Sequence, residues 1–317
     1  MDTRPAPDTR LLIFGGSGFV GRALCRQLVE AGYERITVPT RRLAHARELG
    51  VLPGVTVLET RIHDEAALQT LVSQADVVVN LIAILQGDEA AFDTVHVRWP
   101  QRLVQACRSA DVRRLVHVSA LGVAEDAPSR YLRSKARGEA VIRASGLDWR
   151  LLRPSVIFGA EDRFLNLFAE LQQIFPILPL AGATARFQPV WVEDVAAALH
   201  RLIELPGAAG RCYEAAGPQV LSLRELVQLA GRLLSRPRPI MALPRPLAWL
   251  QALLMECLPG EPLMSRDNLA SMQVPNVASG SLPGLAELGL RPHSLEAVLG
   301  TEPRDLRLDR WRRRARA

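Results

Sequence analysis

Of the 39 basic residues in the chain, 38 are arginine; the single lysine, Lys135, lies four residues after Tyr131, one of three tyrosines. On a helix that spacing places a phenol and an ammonium on one face. Such a pair can handle protons. A tyrosine titrates near ~10, so service as a proton donor or acceptor near neutrality calls for a lowered pKa, which a neighbouring fixed cation supplies. An ammonium also offers a compact donor to a sugar hydroxyl, a task that a planar guanidinium does less well. Ser119 closes the run Val116-His117-Val118-Ser119, where its hydroxyl could share a substrate oxygen with Tyr131; a serine at a strand end is equally a turn former. Ser119, Tyr131 and Lys135 are the candidate catalytic residues.

A second constellation sits near the N-terminus. Gly15-Gly16-Ser17-Gly18-Phe19-Val20-Gly21 follows the apolar run Leu11–Phe14 and opens a helical stretch. In this G-x-x-G-x-x-G spacing Gly15 permits the tight turn, Gly18 lets the backbone approach a pyrophosphate, and Gly21 lets helix and strand pack closely. The amides of the helix start then meet the phosphates. Gly15, Ser17, Gly18, Phe19, Val20 and Gly21 are therefore candidate contacts to a dinucleotide. At the end of the second strand, where NAD-preferring proteins place an acid for the ribose hydroxyl, the chain reads Val38-Pro39-Thr40-Arg41-Arg42. Guanidinium groups there would grip a 2′-phosphate bidentately, each such contact contributing roughly 1.5–3 kcal/mol. NADP(H) is favoured, with NAD(H) as the alternative. The bland reading is that Arg41 and Arg42 begin a solvated helix.

Alternating strands and helices must position these groups. Leu11–Phe14, Arg35–Val38, Val55–Leu58, Asp76–Ile82, Arg114–Ser119 and Trp149–Leu152 read as strands, and Phe19–Ala31, Asp64–Ser73, Thr94–Ala110 and Ser129–Ala144 carry helix-period apolar residues. Six strands with intervening helices predict an α/β fold, a Rossmann-type doubly wound parallel sheet with a smaller, mainly helical C-terminal lobe. The expected division is a nucleotide-binding domain over 9–160 with return elements near 186–204, a smaller lobe over 161–303, and a basic tail over 304–317. A strand near Phe187–Val190 and a helix from Glu193 are the expected return to the main sheet.

Composition excludes several classes. The formal charge of +6 is concentrated at the end, where Arg304 to Ala317 holds seven arginines against two aspartates, so no basic groove tracks nucleic acid along the fold. Four scattered cysteines show neither metal-ligand spacing nor a disulfide framework, and no metal site is expected. Leu11–Phe14 is too short for the core of a secretory leader. The longest apolar stretch, Pro246 to Leu258, is broken by Gln251 and Glu256 and is too short to cross a bilayer. A cytoplasmic protein is expected, or one peripheral at the inner face of the membrane. In the stretch Leu243 to Leu258, Trp249, Leu250, Leu253 and Leu254 share a helical face, which reads first as a lobe-packing helix and second as an interfacial one.

The glycine loop, the strand-end serine, the tyrosine-lysine pair and Leu152-Arg153-Pro154-Ser155-Val156-Ile157-Phe158-Gly159 together resemble the extended short-chain dehydrogenase/reductase superfamily. Within it the chain is most similar to an atypical branch, that of the NADPH-binding accessory subunit of mitochondrial respiratory complex I and its free-standing bacterial relatives. Val118-Ser119-Ala120-Leu121-Gly122, Ser129 to Lys135 and Phe187 to Ala196 carry that likeness, which spans about residues 9–300. It implies that Arg41, Arg42, Tyr131 and Lys135 join the glycines around the cofactor, that Asn80-Leu81-Ile82-Ala83 run under the adenosine side, and that Pro154, Ser155 and Val156 border the nicotinamide. Asp194 would order a strand-helix junction. Three departures matter: about a dozen residues separate Ser119 from Tyr131, half the usual distance in the epimerases and dehydratases, His96 stands where an asparagine is common, and Arg61 stands where an acid for the adenine is often found after the third strand. His96 reads as a packed histidine rather than a catalyst.

Two functions follow. One is an NADPH-dependent oxidoreductase acting on a small or quinone-like substrate, with Tyr131 as acid. The other is a non-catalytic NADPH-binding accessory or assembly protein linked to respiratory complex I or ubiquinone metabolism, associated with the membrane or a respiratory complex through its C-terminal third.

Overall fold

The computed structural model describes residues 8–233, 237–260 and 262–300; the arginine-rich tail predicted over 304–317 lies outside them. The first half alternates β1 (Leu11–Phe14), α1 (Phe19–Glu30), β2 (Ile36–Thr40), β3 (Val55–Glu59), α2 (Glu65–Ser73), β4 (Val77–Asn80), α3 (Glu89–Asp93), α4 (Trp99–Ser109), β5 (Arg114–Val118), α5 (Arg130–Arg143) and β6 (Asp148–Pro154). Every residue of β1 and β4 is buried, as expected for parallel strands covered on both faces. Asp64 caps α2 by accepting from the amides of Ala66 at 2.9 Å and Ala67 at 3.2 Å, and Ser129 caps α5 through Leu132.

The helix expected over Thr94–Ala110 starts earlier and contains a wide π turn at Thr94–Arg98 between α3 and α4. Pro100 explains the turn. It cannot donate to the carbonyl of His96, and its ring would clash with that group in a regular helix. The freed carbonyl lies against Gly138 of α5, where a Cβ would come within 2.1 Å of it.

Beyond β6 come β7 (Ile157–Phe158), α6 (Leu165–Ile174), β8 (Leu178–Leu180), β9 (Arg186–Phe187), β10 (Val190–Trp191), α7 (Val192–Glu204), β11 (Arg211–Ala215), β12 (Leu221–Ser222), α8 (Leu223–Leu233), β13 (Ile240–Ala242), α9 (Arg245–Glu256), α10 (Arg266–Ser271) and α11 (Leu295–Leu299). The main sheet has seven strands in the order β3-β2-β1-β4-β5-β6-β11, and all of its pairings are parallel. Two corrections to the expected return follow. The strand near Phe187–Val190 does not rejoin the sheet: β9 pairs with β12 and β10 with β7. The strand that does rejoin it, β11, reads Arg-Cys-Tyr-Glu-Ala, and its charged residues conceal a strand whose last four positions are buried.

The strand order reverses between β1 and β4, which opens a crevice at the carboxyl ends of these strands. On one face of the sheet Leu24 and Leu28 of α1 pack with Val195, Leu199 and Leu202 of α7; on the other, Leu68, Leu103 and Ile142 fill the space beneath α2, α4 and α5. A further apolar cluster, including Phe158, Phe168, Leu226 and Leu295, joins α6, α8 and α11. No helix among the described residues is long and apolar enough to cross a membrane.

Candidate cofactor-binding site

The crevice floor is the glycine loop. Gly15 has φ +79°, and a Cβ there would come within 3.1 Å of the Leu81 backbone, so the loop after β4 closes directly on it. At Gly21 a Cβ would stand 2.4 Å from Gly16 Cα, and this close approach lets α1 begin over the end of β1. Gly18, the N-cap of α1, has no side-chain cap to shield the amides, and no acid occupies the first turn. An anion fits there, because the start of the helix presents open donors and the positive end of its dipole. Arg22, one turn in, donates to the Ser17 carbonyl at 2.9 Å and pairs with Glu161. Phe19 packs against Gly159, where a Cβ would lie 3.0 Å from the ring. Val20 packs against the core on the α1 side of the sheet.

At the adenosine end, Arg41 and Arg42 follow β2 and are exposed. The nearby acid, Glu59, is already engaged by the Leu43 amide at 3.1 Å. Asn80, expected to contact cofactor, faces inward. It is fully buried; its Oδ1 accepts from Ile82 N at 3.2 Å and Trp99 Nε1 at 3.0 Å, while its Nδ2 meets His117 Nδ1 at 2.9 Å. Its side chain therefore holds the turn formed by Leu81, Ile82 and Ala83 against the glycines, and those backbone positions form the cleft wall. His117 is kept neutral by burial, which pushes its pKa well down, with Lys135 adding to the effect.

The end expected to hold the nicotinamide is built on α5. Asp267 of α10 reaches over to cap it, accepting from Arg130 N at 2.7 Å and Tyr131 N at 3.0 Å. The Tyr131 ring stands edge-on to His96 at 5.6 Å and to Phe92 at 6.1 Å between centroids. One helical turn on, Lys135 Nζ donates to the Val118 carbonyl at 2.7 Å, so helix and strand end are tied together. The expectation that Lys135 lowers the tyrosine pKa is corrected here. Burial pushes the phenol up to about 12, and the ammonium itself is pushed down to about 8 by burial, with Glu139 opposing. Desolvation dominates both shifts, and it keeps the Tyr131 phenol protonated.

His96 is a packed residue. Its Nε2 accepts from Ile84 N at 3.2 Å, and its Nδ1 faces Ser134 Oγ at 2.8 Å, which in turn donates to the Tyr131 carbonyl at 2.8 Å. These roles place the ring proton on Nδ1, and burial, followed by the Lys135 charge, takes the His96 pKa down to about 3.

Ser119 is buried, with 4% of its surface exposed. Its Oγ is buried beside Glu139 and makes no hydrogen bond of ordinary geometry. Glu139 is committed elsewhere: it receives Arg153 at 2.8 and 2.7 Å and Arg143 at 3.3 Å. Burial opposes its charge most strongly, but Arg153, Ser119 and Arg143 together hold the carboxyl below its ordinary range. The Pro154–Val156 segment is fastened by a residue that sequence reading missed, Asn276, whose Oδ1 accepts from Ser155 Oγ at 2.7 Å and Val156 N at 2.8 Å. Asp194 accepts from His293 N at 2.8 Å and meets its Nδ1 at 2.7 Å, ordering the start of α7. No cluster of metal-ligating side chains occurs among the described residues.

The profile of NAD(P)H-binding proteins matches residues 15–164. The chain is 33% identical over 309 residues to mouse mitochondrial "NADH dehydrogenase [ubiquinone] 1 alpha subcomplex subunit 9", covering 94% of this chain and 81% of that protein. It is 30% identical over 207 residues to the "Ceramide reductase" of Caulobacter vibrioides, covering 63% of each. Among solved structures, dTDP-glucose 4,6-dehydratase from Streptomyces venezuelae, with NAD and TYD bound, superimposes with a TM-score of 0.71 at 24% identity, covering 97% of this chain and 98% of that one. That likeness shows the short-chain dehydrogenase/reductase fold. Sheet order, glycine loop and sequence similarity agree: the chain belongs to the atypical, NAD(P)H-binding branch of the extended short-chain dehydrogenases/reductases that includes the complex I alpha subcomplex subunit 9 proteins.

Proposed function

We propose that the protein is an NADPH-dependent oxidoreductase acting on a small apolar carbonyl or quinone-like substrate. The observation that carries this reading is Tyr131, whose Oη makes no hydrogen bond to any described residue and which stands one helical turn before Lys135 on α5. Gly15, Gly18 and the open amides of α1 would take the pyrophosphate; Arg41 and Arg42 the 2′-phosphate; Lys135 the nicotinamide-side ribose. Bound NADPH would supply the hydride. Tyr131 would donate the proton to the substrate oxygen as the acceptor is reduced, and the phenolate would be reprotonated from solvent. Ser119, being buried, takes no part in this scheme.

A second reading, a nucleotide-stabilised accessory or assembly protein of the respiratory machinery, is favoured by the enclosure of Ser119 Oγ, which leaves Tyr131 without a second hydroxyl on the substrate oxygen. Single-turnover oxidation of bound NADPH by short-chain quinones and apolar aldehydes separates the two. For turnover, Tyr131→Phe slows oxidation by about two orders of magnitude, the scale of general acid catalysis. Equal rates, or no oxidation by the wild type with any acceptor, give the accessory reading instead.

A further inference from the structure

We infer that the outward face of α9 and the strip beside it form a lipid-binding surface that seats the protein on an anionic bilayer. The helix is packed inside out. Its buried residues are Ala248 and Ala252, with Leu253 and Met255 half-buried, whereas Leu247, Leu250 and Leu254 point to solvent, with Leu254 60% exposed, and Trp249 flanks them at 50%. A water-soluble helix places its leucines against the core; this one spends its smallest residues there. The patch is wider than the helix. Gln251 of α9 donates to the Pro179 carbonyl of β8, and β8 pairs with β13, which brings exposed Ile177 and Met241 alongside. So broad an apolar surface exceeds the scattered exposure normal for a soluble protein.

Charge selects the occupant. No charged residue lies on the leucine face. Arg245 stands at the start of α9, and Arg266 lies over the Trp249 ring at 5.4 Å while neutralising Glu256, the helix's one acid, at 2.8 Å. Aliphatic residues at the centre, a tryptophan at the edge and, at the rim, Arg245 as the cation uncompensated by any described residue match the depth profile of an anionic membrane interface, apolar below and phosphate above. The surface also leads to the cleft. Arg266 precedes Asp267, which caps α5 at Tyr131, and Trp249, Arg266 and Asp267 line a shallow, open depression. Exposed Leu85, in the loop after β4, sits next to Gln86, which donates to the Pro262 carbonyl.

Flotation of the full chain with phosphatidylcholine vesicles, with and without phosphatidylglycerol, tests this; lipid binding through α9 requires no bound nucleotide, so its failure leaves the redox proposal standing. Wild type should float with the anionic vesicles, and the double substitution Leu250→Asp/Leu254→Asp should lower partitioning by at least about a hundredfold, since each leucine contributes tenfold or more on burial. As both positions face solvent, the variant should keep its melting temperature. If it does not, quenching by brominated lipid settles the matter on folded protein: quenching present in wild type and lost in Trp249→Phe supports the surface, and quenching equal in both overturns it. No flotation of wild type overturns the proposal. So does equal flotation of the two proteins, or a dimer in sedimentation that Leu250→Asp/Leu254→Asp converts to monomer, which would make a second copy the occupant.

Discussion

At the proposed adenosine end of the cleft, Arg41 and Arg42 stand exposed past β2, and their guanidinium groups make no ion pair with any described residue; at the proposed nicotinamide end, Lys135, Ser134 and His96 are buried, and each is hydrogen-bonded within the protein. The difference has an electrostatic cause. A solvated cation costs the fold almost nothing and can wait for an anion, whereas a buried ammonium or imidazole must be satisfied before any ligand arrives. Substitutions at the first end should therefore alter affinity without altering stability. At the second end, stability, proton affinity and binding should move together.

The most severe way to break the comparison acts on the loop that serves both ends. Gly21→Val should abolish dinucleotide binding, by more than about a hundredfold in calorimetry, because the added carbons meet Gly16 backbone at 2.4 Å and cannot be relieved by a side-chain rotation. Next comes the buried lysine. Its folded pKa, about 8, lies below the ordinary value of 10.5, so between those values the unfolded chain holds a proton that the folded one has lost, and stability rises with pH. Relative to Lys135→Met, wild type should gain up to roughly 3 kcal/mol between pH 8 and 10.5 in urea melts. A difference between the two proteins that is flat with pH would mean the ammonium is solvated. Referencing to the variant removes the opposing contributions of Tyr131 and of the buried thiols Cys25, Cys107 and Cys212, whose raised pKa values lower stability at high pH.

Arg41→Ala/Arg42→Ala should reduce the NADPH-to-NADH affinity ratio tenfold to a hundredfold, about 1.5–3 kcal/mol, and leave the melting temperature of the free protein unchanged; a lowered melting temperature would mean that the arginines serve the fold. The smallest effect belongs to the cap on α5. Asp267→Ala should cost about 1 kcal/mol in denaturant unfolding, as the Arg130 and Tyr131 amides lose their carboxylate. An unchanged midpoint would show that Ser129 caps the helix unaided.

The nucleotide half was legible because its signals are local. Apolar runs such as Leu11–Phe14 are long enough to be buried on both faces, and the glycines follow the first of them directly, so strand, turn and helix are read together. β11 was not legible. Glu214 interrupts its pattern and is buried only because Ser279, far along the chain, donates to it through both backbone and side chain at 2.7 and 3.0 Å. The same holds for the site. Tyr131 and Lys135 announce themselves by spacing, but Asp267 lies in the first turn of its own helix, beside the capping box of Ser265 and Asn268, and nothing local points it at α5. Asn276 fastens Ser155 across 121 residues. The inward turn of Asn80 depends on Trp99 and His117, two neighbours that only the folded sheet supplies. Helix α9 buries Ala248 and Ala252 while Leu247, Leu250 and Leu254 stay exposed, and this was not legible for a different reason: periodicity identifies an apolar face but does not say which medium covers it.

Calorimetric titration of the purified wild-type chain with NADPH, and separately with NADH, bears most directly on the central claim that a nicotinamide dinucleotide lies between the opening amides of α1 and the Tyr131–Lys135 pair. One dinucleotide should bind per chain, NADPH at least about tenfold more tightly than NADH, with NADPH binding weakened as salt screens the two arginines. Absence of heat with both dinucleotides, under conditions where the chain is folded, would contradict it.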